Sequence, residues 1–584
     1  MRKTKIVCTI GPASNDKNTF KQLVEAGLDV ARLNFSHGDH DTHKELMDMI
    51  KEVRSELNKP IGILLDTKGP EIRLGEVEPD TILIKGEPFI LTPEEVLGNH
   101  KKVQINYDGL HETIKPGNRI LIDDGLVGLR VNDIHDNEIH TVVEFGGKIS
   151  TKKGVNTPGV KLNLPAMTAK DKSDILFGLS QDIDFIAASF IRKADDVLAI
   201  RKLLEENNHT DVQIISKIEN EEGYANIDEI LDVSDGIMVA RGDLGVEIPF
   251  EEVPIAQKSM IKKCNMLGKP VITATQMLDS MMRNPSPTRA EAADVANAIY
   301  DGTDAIMLSG ETAAGSYPVK SVETMAIIAE RTERSLSQVG FLSNLDRHPF
   351  HDSVTFTVSQ ATVNSAYHLG AKCILLITTS GFTARRIAMH RPSCMIIAVT
   401  PYPEVRRQLA LVWGVTTLLL DELGNDNTIY EKIENCALKS KLVEFGDLAV
   451  IASGVPIGIS GATNTMRVRA LGAFYMKGLG IGKGKHTAPV RIINSLNDAK
   501  TKIQEGDIIY SDILNESYAP YIKLAGAIIT KESRYTSYAA FAGRTLKIPV
   551  VVGLKNILDF LVDGNVICVN ASSGMVHNSS KELS

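Results

Sequence analysis

Basic residues do not dominate this chain. Across 584 residues, 64 Lys+Arg stand against 73 Asp+Glu, a formal net charge of −9. Polyanions reward cationic surfaces, so this balance disfavours a broad nucleic-acid or anionic-membrane footprint and leaves room for a local basic pocket. Cysteine is scarce and scattered: Cys8, Cys264, Cys373, Cys394, Cys436 and Cys568 form no CxxC pair and no zinc-ligand spacing. A disulfide scaffold and a zinc module are both excluded. No apolar run approaches the ~20 residues that cross a bilayer. The opening MRKTKIVCTIGP stays apolar only to Ile10, too short for a secretory signal core, and the expectation is a soluble cytoplasmic protein. No GxxxxGKS or GxxxxGKT occurs; Gly480–Thr487 is a near miss with the wrong spacing, and Gly478–Gly484 is expected to be a linker. His37, His40 and His43 recur at i, i+3 and i+6, which predicts a helix N-terminal capping region rather than a zinc site. Trp413, the only tryptophan, is expected in the core or in the wall of an effector pocket.

What is present is a repeating alternation. Short β-branched runs end in polar residues and are followed by amphipathic stretches. They read Lys5–Ile10, Asp29–Asn34, Ile61–Asp66, then Asp184–Ser189, Val212–Lys217, Gly236–Arg241, Pro270–Thr275 and Asp304–Ser309. Eight such runs, with helical spacers such as Asn18–Glu25 and Pro254–Leu267, predict an α/β fold, a (β/α)8 TIM barrel. In that architecture, chemistry gathers at the C-terminal ends of the strands.

Residues 71–166 break the rhythm with Gly, Asp and short alternating runs, which predicts an all-β insertion placed to act as a lid. Helical Lys320–Leu336 closes the barrel, Gly340–Asp352 reads as a connector, and a new α/β alternation starts near residue 353. The expected domains are 1–70 with 167–340 (barrel), 71–166 (a β-barrel lid), 341–475 (α/β) and 476–584 (a last β/α unit).

The strand ends carry Arg32, Asn34, Ser36 and His37; Asp66, Thr67, Glu71 and Arg73; Lys217 and Glu219; Gly242 and Asp243; and Thr275. Side chains at i and i+2 of a strand share a face, so Lys217 points with Glu219 and Asn34 with Ser36. Cations beside carboxylates and neutral oxygens suit phosphoryl transfer, in which cations meet phosphoryl oxygens and carboxylates hold a divalent ion. One such strand end alone would be a solvated terminus; five in barrel order are not.

The strings KIVCTIGPAS, ARLNFSHG, LDTKGPEIR, SKIEN, VARGDLGVE, TATQML and LSGETAAG occur in an order that resembles the bacterial pyruvate kinase family. That resemblance, over residues 1–475, implies transfer of the phosphoryl group of phosphoenolpyruvate to ADP. It implies Glu219 and Asp243 as ligands of Mg²⁺ or Mn²⁺, and Asn34, Ser36, Asp66 and Thr67 as a potassium cage. Glu71 matches the form of potassium-dependent members. Lys217 and Arg32 would attend the moving phosphoryl group, and Asn34, Ser36, His37, Arg73 and Lys153 the nucleotide. Gly242 and Asp243 would open a short helix that receives the substrate carboxylate, and Thr275 would lie at the enolate face. Thr157 stands where relatives usually have leucine.

The same resemblance makes the third unit a regulatory domain, with Thr378, Thr379, Ser380 and Thr383 as a phosphate-binding loop for a phosphorylated effector and Gly454–Gly461 as its second loop. It implies a homotetramer. The last unit resembles the swivelling phosphohistidine domain of phosphoenolpyruvate-utilising enzymes, but Thr536-Ser537-Tyr538-Ala539-Ala540 has tyrosine where that family has histidine. A phenol of pKa about 10 is no match for imidazole as a nucleophile, so this unit is expected to be catalytically silent. A metal-dependent lyase on the same barrel, a phosphohistidine phosphotransferase and a dead sugar-phosphate sensor are weaker readings. The lid with Lys153, the tyrosine at 538, and intact Lys217, Glu219 and Asp243 weigh against them in turn.

Overall fold

The computed structural model describes residues 2–338, 353–422, 429–444, 446–454, 461, 463–472, 475–555, 557–559 and 561–578. The connector Gly340–Asp352 and residues 455–460 of the second expected effector loop lie outside them.

Eight parallel strands close in sequential order into a barrel: β1 (Lys5–Thr9), β2 (Val30–Asn34), β3 (Gly62–Asp66), β4 (Phe185–Ala188), β5 (Gln213–Ile218), β6 (Gly236–Ala240), β7 (Val271–Ala274) and β8 (Ala305–Leu308). They form where the apolar runs predict, because a barrel strand is buried on both faces and reads as a continuous apolar stretch. The two faces have separate work. Ile6, Cys8, Ala31, Ile63, Leu65, Ile214 and Ile237 pack with helical residues such as Phe20, Leu23 and Ile50. The opposite parity (Val7, Val30, Leu64, Phe185, Ile215, Met238 and Ile272) forms a second cluster that Ala410 and Leu411 join. Continuing that parity toward the C-terminal ends gives Thr9, Arg32, Asp66, Ser189, Lys217 and Glu219, so the polar residues stand above an apolar filling.

The insertion after β3 is β-rich, with one four-residue helix, Leu110–Thr113. Its main sheet has six strands running from Val155–Asn156 at one edge to Lys102–Gln104 at the other, beside a two-stranded ribbon of Ile82–Leu83 and Gly147–Lys148. The insertion is the expected β lid, its six strands ordered from edge to edge as a curled half-barrel. Its core holds Phe89, Leu91, Val103, Ile120 and Leu129.

The next sheet has five strands in the order Val415–Leu419, Met395–Thr400, Cys373–Ile377, Leu448–Gly454, Thr463–Ala470. An eight-stranded sheet follows, with Tyr475–Lys477 and Leu479–Ile481 at its two ends. This corrects the expectation of a linker at Gly478–Gly484. The glycines are there for close backbone approach: a Cβ on Gly480 would sit 1.9 Å from Ala571 O, and one on Gly478 would sit 2.5 Å from Val552 O. The chain divides into two compact units, Met1–Val363 with Leu376–Glu422 and Ser453–Asn464, and Asn364–Leu375 with Leu423–Ala452 and Thr465–Ser584. No helix among the described residues is long and apolar enough to cross a membrane.

Candidate active site

At the C-terminal ends of β3 and β5, three charges meet in a nearly dry place. Asp66 is 1% exposed, Glu219 2% and Lys217 8%. Buried charges persist only when paired and hydrogen-bonded. Lys217 Nζ lies 2.8 Å from Glu219 Oε1, 3.2 Å from Asp66 Oδ1 and 2.8 Å from Ser189 Oγ. Burial opposes its charge, but the Asp66 and Glu219 carboxylates outweigh burial and hold its pKa above the ordinary lysine value. Arg32 Nε donates to Asp66 Oδ2 at 2.5 Å and its terminal nitrogen to Thr9 Oγ1 at 2.8 Å. Burial pushes Asp66 up, and Arg32 and Lys217 together override it, holding the carboxyl below the usual range. Lys217 and Arg32 thus converge on the same carboxylate.

Asp243 stands beside Glu219 in the first turn of the Arg241–Glu247 helix. Burial first, and the Glu219 carboxylate second, push Asp243 up to about 7. Two carboxyls this close in a buried place each disfavour the other's charge. Glu219 Oε2 also accepts Phe190 N–H at 2.6 Å, and Phe190 itself has φ +56°. Among the described residues no three His, Cys, Asp or Glu side chains gather as a metal group. His37, His40 and His43 are not such a group either. Asp39 caps the His40–Leu57 helix, His40 pairs with Asp174, and His43 Nε2 bonds His37 O at 2.8 Å.

Thr275 has φ +69° and Gln276 φ +52°, an uncommon region for a β-branched side chain. The turn aims Thr275 Oγ1 at Gly242, whose N–H donates to it at 2.8 Å. Arg241 fixes the same turn, donating to Ala274 O, Thr275 O and Asp294.

The four oxygens of the expected potassium cage lie on neighbouring strand ends: Asn34 faces Asp66 in the β2–β3 register. Asn34 Oδ1 accepts Ser36 N–H at 3.1 Å, and Thr67 Oγ1 accepts Ser189 N–H at 3.1 Å. His37 is exposed nearby. The lid residues stand apart from this cluster. Arg73 pairs with Glu71 at 2.7 Å and donates to Lys152 O, and Lys153 pairs with Asp123 at 2.9 Å.

Ser189 had no assigned role in the sequence, yet it touches Lys217, Asp66 and the Thr67 carbonyl (2.6 Å). Its signal was only a hydroxyl ending an apolar run. In the five-stranded sheet, the Phe382–Ala388 helix starts after Gly381 at φ +74°. Thr378 and Thr383 are buried and Thr383 Oγ1 pairs with Thr463 Oγ1 at 2.7 Å, while Thr379 and Ser380 are half-buried. Trp413 is buried under Lys3 and Arg391, whose cations lie 5.0 and 4.9 Å from its ring.

Residues 1–322 match the family described as pyruvate kinase, barrel domain, and residues 357–469 match pyruvate kinase, alpha/beta domain. The chain belongs to the pyruvate kinase family. Residues 503–574 match the mobile domain of phosphoenolpyruvate-utilising enzymes. The pyruvate kinase of Geobacillus stearothermophilus is 50% identical over 579 residues, covering 99% of this chain and 98% of that one. That of Bacillus licheniformis is 50% identical over 580 residues, covering 99% of each. The crystal structure of a pyruvate kinase from Cryptosporidium parvum superposes with a TM-score of 0.77 at 41% identity, over 80% of this chain and 96% of that one. As a pyruvate kinase family member this chain is an enzyme, a phosphotransferase of glycolysis.

Proposed function

We propose that the residues gathered around Lys217 transfer the phosphoryl group of phosphoenolpyruvate to ADP, giving pyruvate and ATP. The enol C–O–P bond breaks at the phosphorus–oxygen link, a terminal oxygen of ADP forms the new bond, and the enolate carbon takes up a proton. The observation that carries this reading is Lys217, charged and buried between Asp66, Glu219 and Ser189. A compact ammonium there can follow a phosphoryl group between two oxygens, and Arg32 offers it a planar fork. Glu219 and Asp243 would hold Mg²⁺ or Mn²⁺, and Asn34, Ser36, Asp66 and Thr67 would hold K⁺. When bound, these ions supply positive charge against the phosphoryl and carboxylate oxygens.

The start of the Arg241–Glu247 helix, with Gly242 and Asp243, receives the substrate carboxylate, and Thr275 lies at the enolate face where the proton arrives. Asn34, Ser36, His37, Arg73 and Lys153 serve the nucleotide, which requires Arg73 and Lys153 to leave Glu71 and Asp123 for phosphate. Thr379 and Ser380, with Thr378 and Thr383 behind them, form the site of a phosphorylated effector. The working form is a homotetramer in the cytoplasm.

The test is ATP formation from phosphoenolpyruvate and ADP with Mg²⁺, in K⁺ and in Na⁺, with sugar phosphates added in turn. The expected result is ATP formation that needs Mg²⁺ and is faster in K⁺. Failure to form ATP under every effector would overturn the assignment.

A further inference from the structure

The Arg241–Glu247 helix is seven residues long, too short to hold its own shape, so its posture is set by its attachments. One end is tied to β7: Arg241 donates to Ala274 O and Thr275 O, and Gly242 N–H donates to Thr275 Oγ1. The other end is tied to the lid. Glu247 Oε1 accepts a hydrogen bond of 2.8 Å from Asn156 Nδ2, across 91 residues of sequence. Asn156 and Glu247 line a cavity of about 320 Å³ together with Asp243 and Thr157. Thr157 is buried and its hydroxyl has no hydrogen-bond partner. The lid stem is therefore not packed solid at this point, and a directional polar bond has to fix what apolar contact leaves loose.

On the lid side, Asn156 belongs to the segment that carries the expected nucleotide cation. Val155–Asn156 pairs with Arg119–Ile122, Gly154 bridges Arg73, and Lys153 O accepts Leu74 N–H at 2.9 Å. A ligand that orders Arg73 and Lys153 orders Asn156 with them.

We infer that the Asn156–Glu247 hydrogen bond is a latch through which nucleotide on the lid tightens substrate at the Arg241–Glu247 helix. Asn156 and Glu247 are positioning residues: they act through the helix that bears Gly242 and Asp243. This rests on the proposed reading of that helix as the holder of the substrate carboxylate and the divalent ion. Coupling of this kind is reciprocal, so substrate at the helix tightens nucleotide by the same factor. Its magnitude for a single tie between two ordered elements is about fivefold or more.

The experiment uses the full chain with Mg²⁺ and a pair of ligands that cannot react: oxalate, which resembles the pyruvate enolate, and ATP. Calorimetry gives the dissociation constant of oxalate with and without saturating ATP. In the wild type ATP should tighten oxalate by about fivefold or more. Asn156→Ala should bring that ratio to within twofold of unity with little change in oxalate affinity when ATP is absent. Asn156→Asp, which sets one carboxylate against another, should do the same and serves if the alanine variant misfolds. Glu247→Gln keeps an acceptor oxygen for Asn156 and should retain the ratio to within twofold of wild type, a rescue that a merely structural role does not predict. A wild-type ratio near unity, or a full ratio in a folded Asn156→Ala or Asn156→Asp variant, overturns the latch. Wild-type protein that binds ATP but no oxalate would instead overturn the reading of the helix on which the latch stands.

Discussion

Lys217 Nζ lies 2.8 Å from Glu219 Oε1, a contact made by two residues that leave the same strand end on the same side. The charge proposed to attend the moving phosphoryl group is thus held by a carboxylate proposed to hold the divalent ion. Lys217→Met should remove that charge where the phosphoryl group is in flight. The expected outcome is loss of kcat by at least about a thousandfold, with phosphoenolpyruvate binding within about tenfold of wild type. Single-turnover rates and equilibrium binding check it, and a variant with half the wild-type kcat would contradict it.

Asp66 neutralises two cations, so its removal leaves Arg32 and Lys217 with Glu219 alone. Asp66→Asn should cost about 3 kcal/mol at pH 7, the scale for breaking a buried ion pair from one side. Because Asp66 is held below the usual carboxylate range, its stabilisation is present above about pH 4 and is lost as pH falls through the folded value. Urea midpoints of the two proteins should therefore differ less at pH 3 than at pH 7. A deficit that is equal at both would rule this account out.

His43 stacks on Phe35 at 3.8 Å and uses Nε2 on His37 O, which leaves a buried Nδ1 with no partner for a proton. Burial accordingly lowers its pKa. Between the folded and unfolded values the unfolded chain binds more protons, so stability falls as pH drops below about 6.5. His43→Phe should shrink the difference in Tm between pH 7.5 and pH 5.5. A difference as large as in the wild type would assign the acid sensitivity to other groups.

Glu71 pairs with Arg73 at the foot of the lid. Glu71→Lys should release Arg73 and bring an ammonium toward the proposed potassium cage, so activity should persist when K⁺ is replaced by tetramethylammonium. An undiminished need for K⁺ in a folded variant would detach Glu71 from the monovalent site.

Tyr538 begins the Tyr538–Leu546 helix with Ser537 as its cap. Labelled phosphoenolpyruvate should leave no stable phosphoryl group on the peptide that contains it. Removing everything after Gly472 should keep the chemical step, because every residue proposed for it lies between Arg32 and Thr275. A cut at Gly482 is the poorer experiment, since it abandons the strands Tyr475–Lys477 and Leu479–Ile481 without their sheet. Label on Tyr538, or no kcat in a folded chain ending at Gly472, would give this unit a part in catalysis.

The barrel is legible in the sequence because its strands are apolar on both faces, and Lys5–Thr9 or Gly62–Asp66 can hardly be anything else. Lys217 and Glu219 are legible because their i and i+2 spacing puts two charges on one side of a strand end, in barrel order with four other polar strand ends. Ser189 is not, since a serine at a strand end is ordinary until Lys217 arrives from the neighbouring strand. The tie from Asn156 to Glu247 depends on how an inserted sheet returns to the barrel, which no local pattern encodes. Gly478–Gly484 misleads because a glycine that admits a crossing backbone and a glycine that loosens a tether are the same letter.

Ala410 and Leu411 lie in one cluster with Val7, Val30 and Phe185, so a segment far along the chain finishes the floor of the barrel. A protein shortened to end at residue 338 would be a cup without its base, and grafting this barrel onto a different neighbouring domain would require that domain to bring its own stopper. Whatever shifts the segment around residue 410 is felt at once by the cluster that holds Leu64 and Met238, without a messenger in between.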